Sequence, residues 1–370
     1  MAAYDWSDSE TLPQRANPDA TLQSIRLDYQ LLPQNMPLDL TPFPIDDKQM
    51  KTTRIEEAKA LRGGEHSFTS SLDVPRYERR REGKDLALLG ETGDTVIVDR
   101  SQLLGIGRYS NVYRGHIRRG DHGLPVAVKL YNNTGDWGKL EVEASLLGML
   151  RGSTGIIGYH GRIQPSDPTQ LGLALELAGG GNLAELIFSQ ETPSLRMILG
   201  WTKDIISALK SLETAGILHH DIKPHNMLLS TDRQHLFLAD FGCGSQISSL
   251  DSSHELEGTL GYTAPELLST SPSSPKSISS DVYSFGVTLY SILTGREPFA
   301  DHDRSGVRLM IAIQKGFWKS DHNPWTLRAG LEDQDHVIVQ LQNISTLCTN
   351  LDPQRRPSPT QLYQTILKAI

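Results

Sequence analysis

The chain is short of cysteine, of long apolar runs and of positive charge, and each shortage closes off a class of protein. Two cysteines, Cys243 and Cys348, give no disulfide framework and fit a reducing compartment. No apolar run approaches the roughly 18 residues of a membrane span. The first residues are acidic and polar and lack the apolar core of a signal peptide. Position 2 is Ala, so the N-myristoylation pattern is missing. The net charge of −8 argues against a general affinity for nucleic acid or an anionic membrane. The expectation is a soluble intracellular protein, cytoplasmic or nuclear, that engages neither. With 370 residues there is room for one two-lobed domain and an extension.

The extension is expected over residues 1–94. It is rich in Pro, Asp, Gln and Ser, and Pro33, Pro37, Pro42 and Pro44 break any long element. A short helix is expected from Ile55 to Arg62, and a charged, solvated run from Tyr77 to Lys84. The composition predicts a segment partly disordered or draped over the domain, and a place where a regulator could dock.

Chemistry concentrates in His219 to Asn226, which reads His-His-Asp-Ile-Lys-Pro-His-Asn. Pro224 disfavours helix at Lys223, so the stretch is a rigid loop carrying an acid, a cation and an amide. Nineteen residues after Asp221 comes Asp240-Phe241-Gly242, at the end of the apolar strand pattern Leu236-Phe237-Leu238-Ala239. Two acids and an amide on adjacent loops are hard oxygen ligands suited to Mg²⁺ and a polyphosphate.

These two motifs, in this order and at this spacing, resemble the catalytic and metal loops of the protein kinases. The resemblance implies that Asp221 accepts the proton of a substrate hydroxyl, and that Asn226 and Asp240 hold Mg²⁺ on the phosphates of ATP. Lys223 is similar to the lysine of the serine/threonine branch, which steadies the γ-phosphate. His219 would be structural, packed near the metal-loop backbone. His220 stands where the family usually has arginine. A largely neutral imidazole is a poorer phosphate partner than a guanidinium. Activity is therefore expected not to need phosphorylation of Ser245, Ser248, Ser249, Ser252 or Ser253 through that residue.

Upstream, strand patterns flank a turn bearing Gly105 and Gly107, with Ser110 in the place of the family's third glycine. Such a turn lets backbone N–H groups approach phosphate oxygens. Val126-Ala127-Val128-Lys129 resembles the family's lysine strand, so Lys129 would pair with the α- and β-phosphates, and Val112 and Ala127 would sandwich the adenine. A solvent-facing strand lysine is the plainer alternative. Leu140, Ala144, Leu147 and Leu150 mark one helix stripe. Glu141 and Glu143 on that helix are the candidate carboxylates for Lys129; Glu143-Ala144-Ser145-Leu146-Leu147 resembles the family's helix, which implies Glu143, with Glu141 as runner-up. Leu173 to Ala178 enters Gly179-Gly180-Gly181 and resembles the hinge between lobes. There Leu175 would guard the back pocket, the backbone of Glu176 and Ala178 would meet the adenine edge, and the glycines would let the lobes move.

Ile198, Trp201, Ile205, Leu209 and Leu212 keep a helical core stripe, and the polar stretch Cys243 to Glu257 reads as a mobile loop. Gly258 to Glu266 resembles the end of a serine/threonine kinase activation segment, in which Thr259 bonds toward Asp221 and Lys223. Glu266 would pair with Arg356 of the closing motif Asp352 to Pro357. Ser269 to Ser280 reads as a loop, and Asp281 as either a helix N-cap or an anchor for the catalytic-loop backbone, roles that are compatible. The expected fold is α+β in two lobes: a small antiparallel sheet with one helix, about 95–178, and a larger, mainly helical lobe, about 179–370. The expected activity is transfer of the γ-phosphoryl of ATP to Ser or Thr of a protein substrate. A nucleotide-binding scaffold without transfer activity and a small-molecule kinase on a related fold are the alternatives.

Overall fold

The computed structural model describes residues 84–89, 92–119, 122–131, 137–165, 170–189, 191–249, 258–268, 276–300, 306–316, 325–332 and 335–369. Residues 1–83 of the extension expected over 1–94, with its short helix at 55–62, lie outside them. So do Ser252, Ser253 and most of the Ser/Pro-rich loop before residue 276.

Six antiparallel strands form the small lobe: β1 Lys84–Leu89, β2 Thr95–Ile106, β3 Ser110–Arg119, β4 His122–Tyr131, β5 Tyr159–Pro165 and β6 Gly172–Glu176. They close on themselves in the order β1-β2-β3-β4-β6-β5. Alternation sends Val96, Val98, Ile117, Val126, Val128, Leu130 and Ile163 inward, all nearly free of solvent. The first strand corrects the expected boundary at 95. Ala87 and Leu89 belong to the sheet interior, and β1 pairs with β2 (Leu88 with Thr95) and with β5 (Ala87 with Pro165). It is the strand that leaves the sheet no open edge. In the sequence it is a short apolar run beside a charged stretch, which periodicity alone cannot assign.

One helix, α1 (Trp137–Met149), packs on this lobe; Leu140, Ala144 and Leu147 form its buried stripe, and Leu150 follows. The large lobe begins with α2 (Leu183–Ile187) and α3 (Leu195–Ala215). Ser194 caps α3 by accepting from the N–H of Met197, and Gly216 ends it at φ 64°. Its stripe of Ile198, Trp201, Ile205, Leu209 and Leu212 is wholly buried. Two short ladders follow: β7 (Ile217–Leu218) with β10 (Ser245–Gln246), and β8 (Met227–Leu229) with β9 (Leu236–Leu238). The lobe is completed by α4 (Ile278–Thr294), α5 (Gly306–Lys315), α6 (His336–Cys348) and α7 (Pro359–Ala369). From Ser280 to Thr294 every residue of α4 is buried, so this helix is the axis of the lobe. It begins at Ile278, inside the expected loop; its N-cap is Ser277, and Asp281 lies in its first turn.

The stretch between the lobes is less free than its three glycines suggest. The N–H of Gly180 donates to Leu229 O at 2.9 Å, and Leu229 N–H donates to Gly181 O at 2.9 Å, tying the turn to β8. A Cβ on Gly180 would lie 2.2 Å from Ser230 O. Glycine is needed there for close backbone approach rather than for movement. Gly180→Ala is expected to cost about 1–3 kcal/mol of stability, read as a lower denaturation midpoint in urea.

Candidate active site

The β8–β9 ladder brings the two chemical loops together. Met227 pairs with Leu238, and just beyond them Ala239 N–H donates to Asn226 O at 2.9 Å. Asn226 ends the first loop and Asp240 begins the second, so acids nineteen residues apart converge at one end of a three-residue ladder. Buried His219 fixes the same junction. Its Nδ1 accepts from Asp221 N–H at 3.3 Å, so Nε2 carries the proton donated to Ala239 O at 3.1 Å. Its ring also stands edge-on to Phe241, 4.7 Å between centroids. From α4, the buried Asp281 carboxylate accepts from the N–H of His219 at 2.7 Å and of His220 at 2.9 Å.

Asp221 is buried, and both of its oxygens are engaged. Oδ1 accepts from Thr259 Oγ1 at 2.8 Å; Oδ2 accepts from Lys223 Nζ at 2.7 Å and from Asn226 Nδ2 at 2.8 Å. Lys223 Nζ also donates to Thr259 Oγ1 at 2.6 Å. Gly258 makes this possible: its φ is +94°, and a Cβ there would sit 2.4 Å from His220 O. Because Asn226 donates through Nδ2, its Oδ1 is the atom left to face a cation. Downstream, Arg356 holds the segment through two bonds to Glu266, each 2.7 Å, with further bonds to Asn350 O and Ser279 O.

Lys129 ties the small lobe to this junction. Nζ donates to Glu143 Oε1 at 2.8 Å, Glu143 Oε2 at 2.7 Å and Asp240 Oδ1 at 2.8 Å. Glu143 is fully buried, whereas the Asp240 side chain is 53% exposed. Glu141 faces outward, paired with Arg162 at 2.6 Å. Burial by itself would push the Lys129 ammonium down; the Glu143 and Asp240 carboxylates outweigh that and hold it well above the ordinary lysine range. For Asp240, burial pushes upward, and the Lys129 charge and hydrogen bond win, leaving it below the usual carboxylate range. A third group touches the pair, and the sequence motifs did not point to it: the Tyr131 hydroxyl donates to Glu143 Oε2. Its only sequence signal is parity, since Tyr131 lies two residues beyond Lys129 on the same strand.

The remaining predicted residues line the strands next to this cluster. Gly105 is opposite Val112 in the β2–β3 register, and the turn beyond it closes through Gly107 N–H to Ser110 O at 2.8 Å. Val112 pairs with Lys129, and Ala127 with Leu175. Glu176 ends β6, and Ala178 precedes the glycine turn. His220, at φ 65°, takes a hydrogen bond with Ser245 Oγ at 2.8 Å through Nε2. Ser245 belongs to β10, and Ile247–Ser249 form a short 3-10 turn, so the stretch expected as a loop begins with regular structure; 250–257 lie outside the described residues.

The donor set fits a metal-bound triphosphate. Asp240 and Asn226 offer two hard oxygens, and Lys129 a cation, at one end of the ladder. Mg²⁺ is commonly held through one or two carboxylates, with phosphate and water oxygens completing its shell. A sequence profile of one family, the protein kinase domain, matches residues 98–367. The chain belongs to the protein kinase family. Similar curated kinases include an L-type lectin-domain containing receptor kinase, I.7, of Arabidopsis thaliana, 29% identical over 286 residues, covering 72% of this chain and 40% of that protein. The 3-phosphoinositide-dependent protein kinase 1 of the same plant is 32% identical over 216 residues, covering 54% of this chain and 42% of its own length. The calcium/calmodulin-dependent protein kinase type II of Caenorhabditis elegans is 30% identical over 272 residues, covering 71% of this chain and 35% of its own. The kinase chain described here thus spans less than half the length of these relatives. Among its described residues, no helix is long and apolar enough to cross a membrane.

The Arg356–Glu266 pair sets a test of how this kinase holds its segment. The Arg356 side chain is fully buried and that of Glu266 is 8% exposed. Arg356→Leu would strand the carboxylate and is expected to cost about 3–5 kcal/mol, measured by chemical denaturation. Replacing both partners with apolar residues should recover most of the loss.

Proposed function

We propose that this protein kinase is catalytically active and transfers the γ-phosphoryl of ATP to Ser or Thr hydroxyls of protein substrates. The observation that carries the reading is Lys129, whose ammonium meets Glu143 of the helix and Asp240 of the metal loop at once. That contact requires both elements to be docked against the small lobe. Bound Mg²⁺ supplies charge neutralisation on the phosphates. Asn226 Oδ1 and the Asp240 carboxylate would hold it, and Lys129 would orient the α- and β-phosphates. The substrate oxygen attacks the γ-phosphorus as the bond to the β,γ-bridging oxygen breaks, and Asp221 accepts the hydroxyl proton. Lys223, shared between Asp221 and Thr259, would steady the γ-phosphate. The serine/threonine assignment is supported by Lys223 two residues after the acid and by the Thr259 contact.

Transfer of labelled phosphate to a generic protein substrate tests this directly. Asp221→Asn should lower the rate by about 10²–10⁴-fold, while Mg²⁺-dependent ADP binding by calorimetry stays close to that of the parent. A parent protein that binds nucleotide but shows the same rate as Asp221→Asn would mark a nucleotide-binding scaffold instead.

The His220–Ser245 bond supports activity without loop phosphorylation. A direct 2.8 Å contact with Ser245 Oγ occupies the imidazole Nε2 at the position where an arginine would offer its guanidinium to a phosphate. Phosphate-free protein with Ser248, Ser249, Ser252 and Ser253 all changed to Ala is expected to keep the parent transfer rate. Loss of transfer with an unchanged circular dichroism spectrum would contradict it.

A further inference from the structure

Tyr131 is unusual in that a fully enclosed carboxylate uses its hydroxyl. It is the last residue of β4, 2% exposed, and its backbone is fixed by a 3.0 Å bond from its N–H to Leu171 O. Lys129 lies two residues back on the same face, with Nζ 5.6 Å from the Tyr131 ring centroid. Glu143 Oε2 accepts both from Lys129 Nζ and from the Tyr131 hydroxyl.

The charges explain why a second donor matters. Two carboxylates, Glu143 and Asp240, share one ammonium. Asp240 is half exposed and can be solvated, but Glu143 reaches no water. Whenever Lys129 leans toward Asp240 or toward an anionic ligand, Glu143 would lose that cation and be left buried with an unmet charge. A hydroxyl donor from a rigid strand covers that interval. Burial and the Glu143 charge both push the Tyr131 phenol above its ordinary range, against a smaller opposing pull from Lys129, so it remains a donor across physiological pH.

We propose that Tyr131 is a positioning residue: its hydroxyl locks the Glu143 carboxylate, and with it helix α1, in the orientation that meets Lys129. The proposal rests on the kinase reading for its consequence in nucleotide binding, though not for the contact itself. The plainer view makes the ring a core residue and the hydroxyl incidental. Tyr131→Phe separates the two, because it keeps the ring.

On the full chain, Tyr131→Phe is expected to weaken Mg²⁺-ADP binding by about tenfold, the size of a lost bond to a charged group. In a Glu143→Gln background the same change should cost less than about threefold, because the two residues act as one unit. A second readout needs no ligand. With 3-fluorotyrosine at position 131, the fluorine resonance should report an ionisation midpoint that falls when Glu143→Gln removes the neighbouring charge. Binding by Tyr131→Phe equal to the parent, an equal loss in both backgrounds, or a midpoint unmoved by Glu143→Gln would each overturn the proposal. If the parent binds no nucleotide, the kinase reading fails, and the fluorine midpoint still decides the role of Tyr131.

Discussion

A buried ammonium between two carboxylates organises this molecule. Lys129 comes from the fourth strand of the small sheet, Glu143 from the helix beside it, and Asp240 from a loop of the large lobe. A charge taken out of water is tolerated only with close partners of opposite sign and satisfied hydrogen bonds. Each of the three elements therefore constrains the other two. If the helix rotated away, the buried Glu143 carboxylate would lose its ammonium; if the loop withdrew, Lys129 would keep Glu143 alone. The cluster reports that helix and loop are both docked.

The large lobe supplies the complementary half through backbone anchoring. Asp281, in the first turn of a helix buried along nearly its whole length, holds two consecutive N–H groups of the loop from His219 to Asn226. His219 joins that loop to the strand end preceding Asp240, and Gly258 admits Thr259 to the Asp221 carboxylate. His220 and Asp240 both sit at positive φ, near 65°, which disfavours L residues and needs a rigid surround. The ladders, the α4 carboxylate and the Arg356–Glu266 pair are that surround. Functional groups on loops are thus held by groups on regular elements.

Much of the site could be read because its parts are local patterns. The loop from His219 to Asn226, the Asp240 turn and the Lys129 strand each fall within eight residues or fewer. The helical stripes through Leu140 and Ile198 followed from period, and the structure buries both. What escaped depends on neighbours distant in the chain. The strand at Lys84–Leu89 is defined by its pairing with β2 and β5, and its six residues carry too little pattern to show that alone. The hinge glycines look like freedom in the sequence. In the fold Gly180 is a close approach to Leu229 and Ser230, a property of the partner strand. The short strand after Gly242 is defined by the pairing of Ser245 with Leu218 and its contact with His220.

The sequence alone determined which chemical groups are present, in what order and on what kind of local element. Spacing, glycine, proline and apolar period act over a few residues, and those are legible in one dimension. Only the tertiary structure decided which acid met the lysine, since Glu143 and Glu141 differ by two positions that helix geometry turns to opposite surroundings. It likewise decided that a tyrosine joined them, because strand parity brings Tyr131 to the lysine's face but packing alone brings the helix to its hydroxyl.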